Sequence, residues 1–139
     1  MLLHIVARGK IGRSPEADLV ERYLKRISWP TRVTELAERD PPPPLAANSV
    51  SVALDERGPA LTSAGLARKL ESWRDGGKRE ARFLIGGADG HDGRGRAKAD
   101  LLLSFGPATW PHLLVRAMLA EQLFRATSIL ANHPYHREG

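Results

Sequence analysis

Six side chains able to do chemistry lie within the last 28 residues of the sequence: His112, Arg125, His133, Tyr135, His136 and Arg137. An imidazole can take or give a proton near neutral pH, a guanidinium can hold a phosphate or an anionic carbonyl, and a phenol can stack or donate a hydrogen bond. The set suits general acid–base chemistry or contact with phosphate. His133 and His136 are three apart, a spacing that also invites a metal. Pro134 breaks any helix between them and no carboxylate cluster completes a ligand set, so no metal site is expected. Plain surface histidines are the bland alternative. Side chains this specialised are unusual in a terminal segment, where chains normally fray, and the expectation is that the fold holds them in place and uses them.

A second candidate is the loop G-G-A-D-G-H-D-G-R-G, which opens at Gly86 and holds five glycines in ten residues. Glycine lets a ligand approach the backbone closely, so a nucleotide-like ligand fits. The spacing matches neither G-x-G-x-x-G nor G-x-x-x-x-G-K-S/T, which gives no support to a dinucleotide or a nucleoside triphosphate. Asp89 and Asp92 do not have calcium-loop spacing.

These residues need a scaffold, and the hydrophobic pattern supplies one. Apolar runs at Leu2–Ala7, Thr31–Leu36, Val50–Leu54, Arg82–Ile85 and Leu101–Ser104 read as five strands. Between them, Ser14-Pro15-Glu16 starts a helix whose Ala17, Val20, Leu24 and Ile27 recur at helical spacing, giving a helix over Pro15–Ile27. Thr62 or Ser63 caps a second helix whose Leu66, Leu70 and Trp73 share a face and which ends at Gly76-Gly77. Four consecutive prolines, Pro41 to Pro44, make a stiff connector. After Pro111-His112 comes an apolar helix of about twenty residues, stopping at Asn132-His133-Pro134. Its apolar residues point almost all round, which suggests burial against a second subunit as well as the core. Glu121, Arg125, Ser128 and Asn132 form a polar stripe, either the wet side of a core helix or a means of aiming Arg125 at a site.

Alternating strands and helices imply a parallel α/β sheet, with ligands expected beyond the carboxyl ends of its strands. Three segments lie at such ends: Leu54–Gly58, Gly86–Gly90 and Phe105–Pro111. At 139 residues the chain is expected to form one domain, residues 1–139. The absence of cysteine excludes disulfides, thiolate zinc and cysteine nucleophiles, and a cytoplasmic protein fits best. The apolar start before Arg8 is too short for a signal peptide or a membrane span. A net charge of +5 favours polyanionic partners without forming a basic run.

The motifs F-L-I-G-G-A-D-G, T-W-P-H-L-L-V-R with A-E-Q-L-F-R-A, N-H-P-Y-H-R-E and L-D-E-R-G closely resemble the RlmH family of SPOUT-class methyltransferases. The likeness covers most of the chain. It implies a SPOUT-type parallel sheet sandwiched by helices, with a C-terminal deep trefoil knot, in a homodimer. It implies S-adenosyl-L-methionine as cofactor, held by Leu54, by Gly87 and by the segment Gly106, Pro107, Ala108, Thr109, Trp110 and Pro111. The implied substrate is N3 of a pseudouridine in the helix 69 region of 23S rRNA, within the large subunit or the whole ribosome, and not DNA or a membrane. His133, Tyr135, His136 and Arg137, with Arg125 and His112, become the candidate catalytic residues, the tail of one subunit completing the pocket of the other. The family pattern has a smaller aliphatic residue where Trp110 stands, and a longer polar connector between the second and third strands. The competing expectation is a catalytically silent, knotted ribosome-binding protein.

Overall fold

The computed structural model describes residues 1–86 and 98–137. Five strands, β1 (Leu2–Arg8), β2 (Thr31–Leu36), β3 (Ser49–Leu54), β4 (Glu80–Ile85) and β5 (Leu101–Leu103), form one sheet in the order β2-β1-β4-β3-β5. Every pairing is parallel. Three described helices, α1 (Pro15–Leu24), α2 (Ser63–Asp75) and α3 (His112–Leu130), complete the unit.

Strand alternation sorts the sheet into two faces. Leu3, Ile5, Val52, Phe83 and Ile85 point to one face and form the main core with Leu66, Leu70, Leu119 and Leu123 of α2 and α3. On the α1 side, Val20 packs on Ala117 and Ala120 of α3. The local signals act as expected: Ser14 Oγ accepts from the Ala17 amide at the start of α1, and Thr62 does the same for Gly65 at the start of α2. The first helix stops at Leu24, short of Ile27, although Ile27 is buried with the core. The Arg26 and Ile27 amides bond the carbonyls three residues back, so the last turn tightens before the chain turns toward β2.

The opposite face carries His4, Val6, Ser51, Ala53, Arg82 and Leu84, all buried. Here the proline connector has a structural use, because the Arg82 guanidinium donates to the Pro43 carbonyl at 2.5 Å. Beside it, His4 Nδ1 lies 3.1 Å from Glu80 and Nε2 lies 2.7 Å from the Thr34 hydroxyl. Burial outweighs the attraction of Glu80 and holds the His4 pKa below its usual value. The unfolded chain therefore binds the extra proton first, and the stability from neutral His4 is present above about pH 6.5 and lost as pH falls below it. Melting temperature is expected to drop between about pH 7 and 5 in the wild type, and to drop less in His4→Gln.

Candidate functional site

Two of the three strand-end segments, Leu54–Gly58 and Phe105–Pro111, lie within the described residues and meet beyond β3 and β5. Leu54 closes β3 in the core, and the Asp55 amide bonds the Leu103 carbonyl at 2.9 Å, continuing the β3–β5 ladder one residue outward. The chain then turns tightly, with the Gly58 amide on the Asp55 carbonyl and the Arg57 amide on Asp55 Oδ1. A Cβ at Gly58 would lie 2.8 Å from the Leu102 carbonyl carbon, so the turn sits directly on β5 backbone. Gly58→Ala is expected to cost about 1–3 kcal/mol of stability, because the obstacle is backbone and cannot rotate away. Urea denaturation checks this, and an unchanged midpoint would refute the close docking.

Beyond β5, the Ser104 amide bonds Pro59 and Gly106 takes φ +97 with open space where a side chain would stand. The Thr109 hydroxyl donates to Glu56 Oε2 at 2.7 Å, tying this loop to the β3 turn. Trp110 Nε1 donates to the Phe105 carbonyl at 3.3 Å while its ring stays 42% exposed. Pro107, Ala108, Thr109 and Pro111 are exposed. Pro111 precedes α3 and provides no side-chain cap. Gly86 is buried at the end of β4. Gly87, and with it the glycine loop that includes Asp89 and Asp92, lies outside the described residues.

The tail is not a free end. Asn132 takes φ +57, and the chain reverses over α3. Tyr135 packs on Phe124 with ring centroids 4.6 Å apart, and His133 stands edge-on to the same ring at 6.5 Å. Glu121 Oε1 accepts from Arg125 Nε at 2.8 Å and from the Tyr135 hydroxyl at 3.1 Å. Arg125 also stacks on Tyr135, 4.7 Å from the ring centroid, and contacts His136 Nδ1 at 3.2 Å. Arg26, from just beyond α1, covers Phe124 at 4.5 Å.

These contacts fix protonation. Burial, the hydrogen bond with Tyr23 and the negative charge of Glu121 push the Tyr135 phenol up to about 12, so it stays a neutral donor. The hydrogen bond to Glu121 raises Arg125 above its already high value, making it a permanent cation. A guanidinium can only donate, so His136 Nδ1 is the acceptor in this contact. The Tyr135 amide likewise donates to His133 Nδ1. With a guanidinium against His136, the pair is poorly placed to bind a metal together.

Of the six candidates, the structure gathers Arg125, His133, Tyr135 and His136. Arg137 follows them, exposed and without a side-chain hydrogen bond or ion pair among the described residues. His112 is thirteen residues before Arg125 on α3, about 20 Å along the axis, and does not join the cluster. One expectation is corrected. Ser128 is 5% exposed and belongs to the buried side of α3, so the polar stripe does not run through it. Sequence reasoning also missed Arg116, which is 1% exposed and paired with Glu35. An arginine inside the apolar run L-L-V-R-A-M was a visible sign, but its partner, 81 positions away, was not. The apolar side of α3 is only partly covered: a groove of about 260 Å³ is lined by Leu19 and Tyr23 of α1, Phe105, and Leu114, Met118 and Glu121 of α3.

A five-stranded parallel sheet whose loops converge beyond β3 and β5 is an α/β architecture with a ligand edge. The family described as "Predicted SPOUT methyltransferase" matches residues 42–136, a span that includes these loops and the tail. Two proteins called "Ribosomal RNA large subunit methyltransferase H", from Rhizorhabdus wittichii and Novosphingobium aromaticivorans, are each 67% identical over the full length of both chains. The structure of a "probable methylase family protein" from Haemophilus influenzae Rd KW20 shares the fold, with TM-score 0.59 and 12% identity, covering 98% of this chain and 70% of that one. The chain belongs to the RlmH family of SPOUT methyltransferases.

Proposed function

We propose that the protein transfers a methyl group from S-adenosyl-L-methionine to N3 of a pseudouridine in the helix 69 region of 23S rRNA. The substrate is the large subunit or the assembled ribosome, in the cytoplasm. The observation that carries this reading is the full-length 67% identity to proteins named as large-subunit rRNA methyltransferases, joined to a tail whose polar groups are held in register on α3. None of the described helices is long and apolar enough to cross a membrane.

The loops suit the cofactor. Gly106 leaves open space over its backbone, the β3 turn and the loop before α3 are latched together by Thr109 and Glu56, and few charges stand among Leu54 and Gly106–Pro111. Leu54, Gly87 and Gly106–Pro111 would hold the adenosyl part mainly through backbone groups, and the deep trefoil knot of the SPOUT class would form this pocket. When bound, the cofactor supplies a sulfonium-activated methyl group.

The chain then has to align the acceptor and stabilise charge as N3 loses its proton. In the arrangement seen, the tail offers cations and donors. Tyr135 remains protonated, each histidine Nδ1 already accepts a hydrogen bond, and Arg125 carries a fixed charge. Arg137, exposed beside them, reaches the ring carbonyls or a phosphate. The tail therefore acts first by stabilising the anionic base ring, and a histidine acts as base only after giving up its present contact. His112, far along α3 from Arg125, serves the same reaction in a homodimer, where one subunit's tail meets the other's loops. The uncovered groove beside Leu114 and Met118 supports that assembly.

Ribosomes lacking the modification, incubated with the protein and labelled cofactor, test this directly. Label at the pseudouridine is expected, and its absence with a folded dimer present would overturn the proposal. Calorimetry with S-adenosyl-L-methionine separates the enzyme from a silent ribosome-binding protein, which would show no heat of binding.

A further inference from the structure

A buried guanidinium costs desolvation even when one partner reaches it from a more exposed position, so the placement of Arg116 calls for another reason. Arg116 is 1% exposed, and its Nε finds no hydrogen-bond partner among the described residues. One terminal nitrogen pairs with Glu35 Oε2 at the end of β2, and the other donates to the Gly9 carbonyl at 3.2 Å. The same Glu35 oxygen accepts the Ile11 amide at 2.8 Å. The backbone on both sides of Lys10 is therefore pinned to the second turn of α3. Gly9 and Gly12, at φ +83 and +58, let the loop turn out of β1 and back toward Ser14, whose hydroxyl closes it on the Ile11 carbonyl.

Two cations stand on this rigid loop. Lys10 and Arg13 are exposed and form no side-chain hydrogen bond or ion pair among the described residues. The acid beside them is spoken for: Glu35 is held below the usual carboxylate range, first by its hydrogen bond with Arg116 and also by the Ile11 amide and the nearby Lys10 charge. Glu16 and Asp18 sit in the first turn of α1, at that helix's positive end. Arg8 is used internally, donating to the Ala37, Glu38 and Asp40 carbonyls. The loop leaves the carboxyl end of β1, and β1 neighbours β4 in the sheet, which ends at Ile85 just before Gly86. It thus flanks the proposed cofactor edge.

We infer that the loop from Gly9 to Ser14 is a contact surface for rRNA phosphates, with Lys10 and Arg13 as the contacts and Arg116 and Glu35 as positioning residues that couple it to α3. This deepens the proposed function and rests on it.

The test is a Lys10→Ala/Arg13→Ala double variant, assayed on ribosomes across a range of salt. The KM for ribosomes should rise about tenfold at ~150 mM monovalent salt. The slope of log(kcat/KM) against log salt should become shallower by roughly 1.5, with kcat and cofactor affinity unchanged. A variant that melts like the wild type and keeps its KM and salt slope overturns the inference, as does one that loses kcat alone. Arg116→Lys, which keeps the charge but cannot bridge Glu35 and Gly9, should also raise KM. A lower melting temperature with unchanged KM would make Arg116 merely structural and remove the coupling. If the wild type itself fails to methylate ribosomes, the proposed reaction falls, and a ribosome-pelleting assay without cofactor still decides the loop, since only a phosphate contact gives the double variant weaker, less salt-sensitive binding.

Discussion

Phe124→Ala is expected to destabilise the fold by about 3–5 kcal/mol, the usual cost of emptying a buried phenyl site. Phe124 is 5% exposed and gathers four partners: Tyr23 at 6.1 Å, Tyr135 at 4.6 Å, His133 at 6.5 Å and the Arg26 guanidinium at 4.5 Å. Two of these belong to the tail and two to α1 and the residues just after it, so the ring joins the tail to the core. Its loss should therefore do more than open a cavity. The Tyr135–Glu121 hydrogen bond should break, and amides near Tyr135 should exchange faster in a hydrogen-exchange experiment. A stability loss below about 1 kcal/mol, or unchanged exchange in the tail, would mean that other contacts hold it.

Arg137→Ala should act on turnover and leave the fold alone. The side chain is exposed, so stability should change by no more than about 0.5 kcal/mol. If it faces the acceptor ring as proposed, removing it should lower kcat by about 10²–10³-fold, the range seen when one preorganised donor to a developing anion is lost. Cofactor affinity should hold. Single-turnover methylation of ribosomes with calorimetric titration of S-adenosyl-L-methionine makes the comparison. Equal losses of turnover and cofactor affinity would place Arg137 in the cofactor pocket instead.

The two variants differ because the tail has two layers. Tyr135, His136 and Arg125 form a half-buried platform on α3, while Arg137 lies beyond it. A change in the platform loosens everything above it, and a change in Arg137 removes only a charge.

Much of this was legible from local signals. Helix starts at Ser14-Pro15 and Thr62, strands at apolar runs, and the sharp end of α3 at Asn132 follow from rules that act within a few residues, as do the two described segments at strand ends, Leu54–Gly58 and Phe105–Pro111. The length of α1 was overestimated because Ile27 continues the apolar spacing, whereas the structure buries it from a tightened turn after the helix has ended. Motif resemblance reached the protein family, because motif residues keep their order in sequence whatever their arrangement in space.

Tertiary structure decided what those rules cannot reach. Ser128 reads as polar and is buried, since the face of α3 it occupies is set by packing against other elements. The pairing of Arg116 with Glu35 joins residues 81 apart, and the neutral, donating state of Tyr135 comes from burial and from Tyr23 and Glu121. Local preference is written in neighbours along the chain, but charge, protonation and solvent access depend on neighbours through space, and only the folded arrangement supplies those.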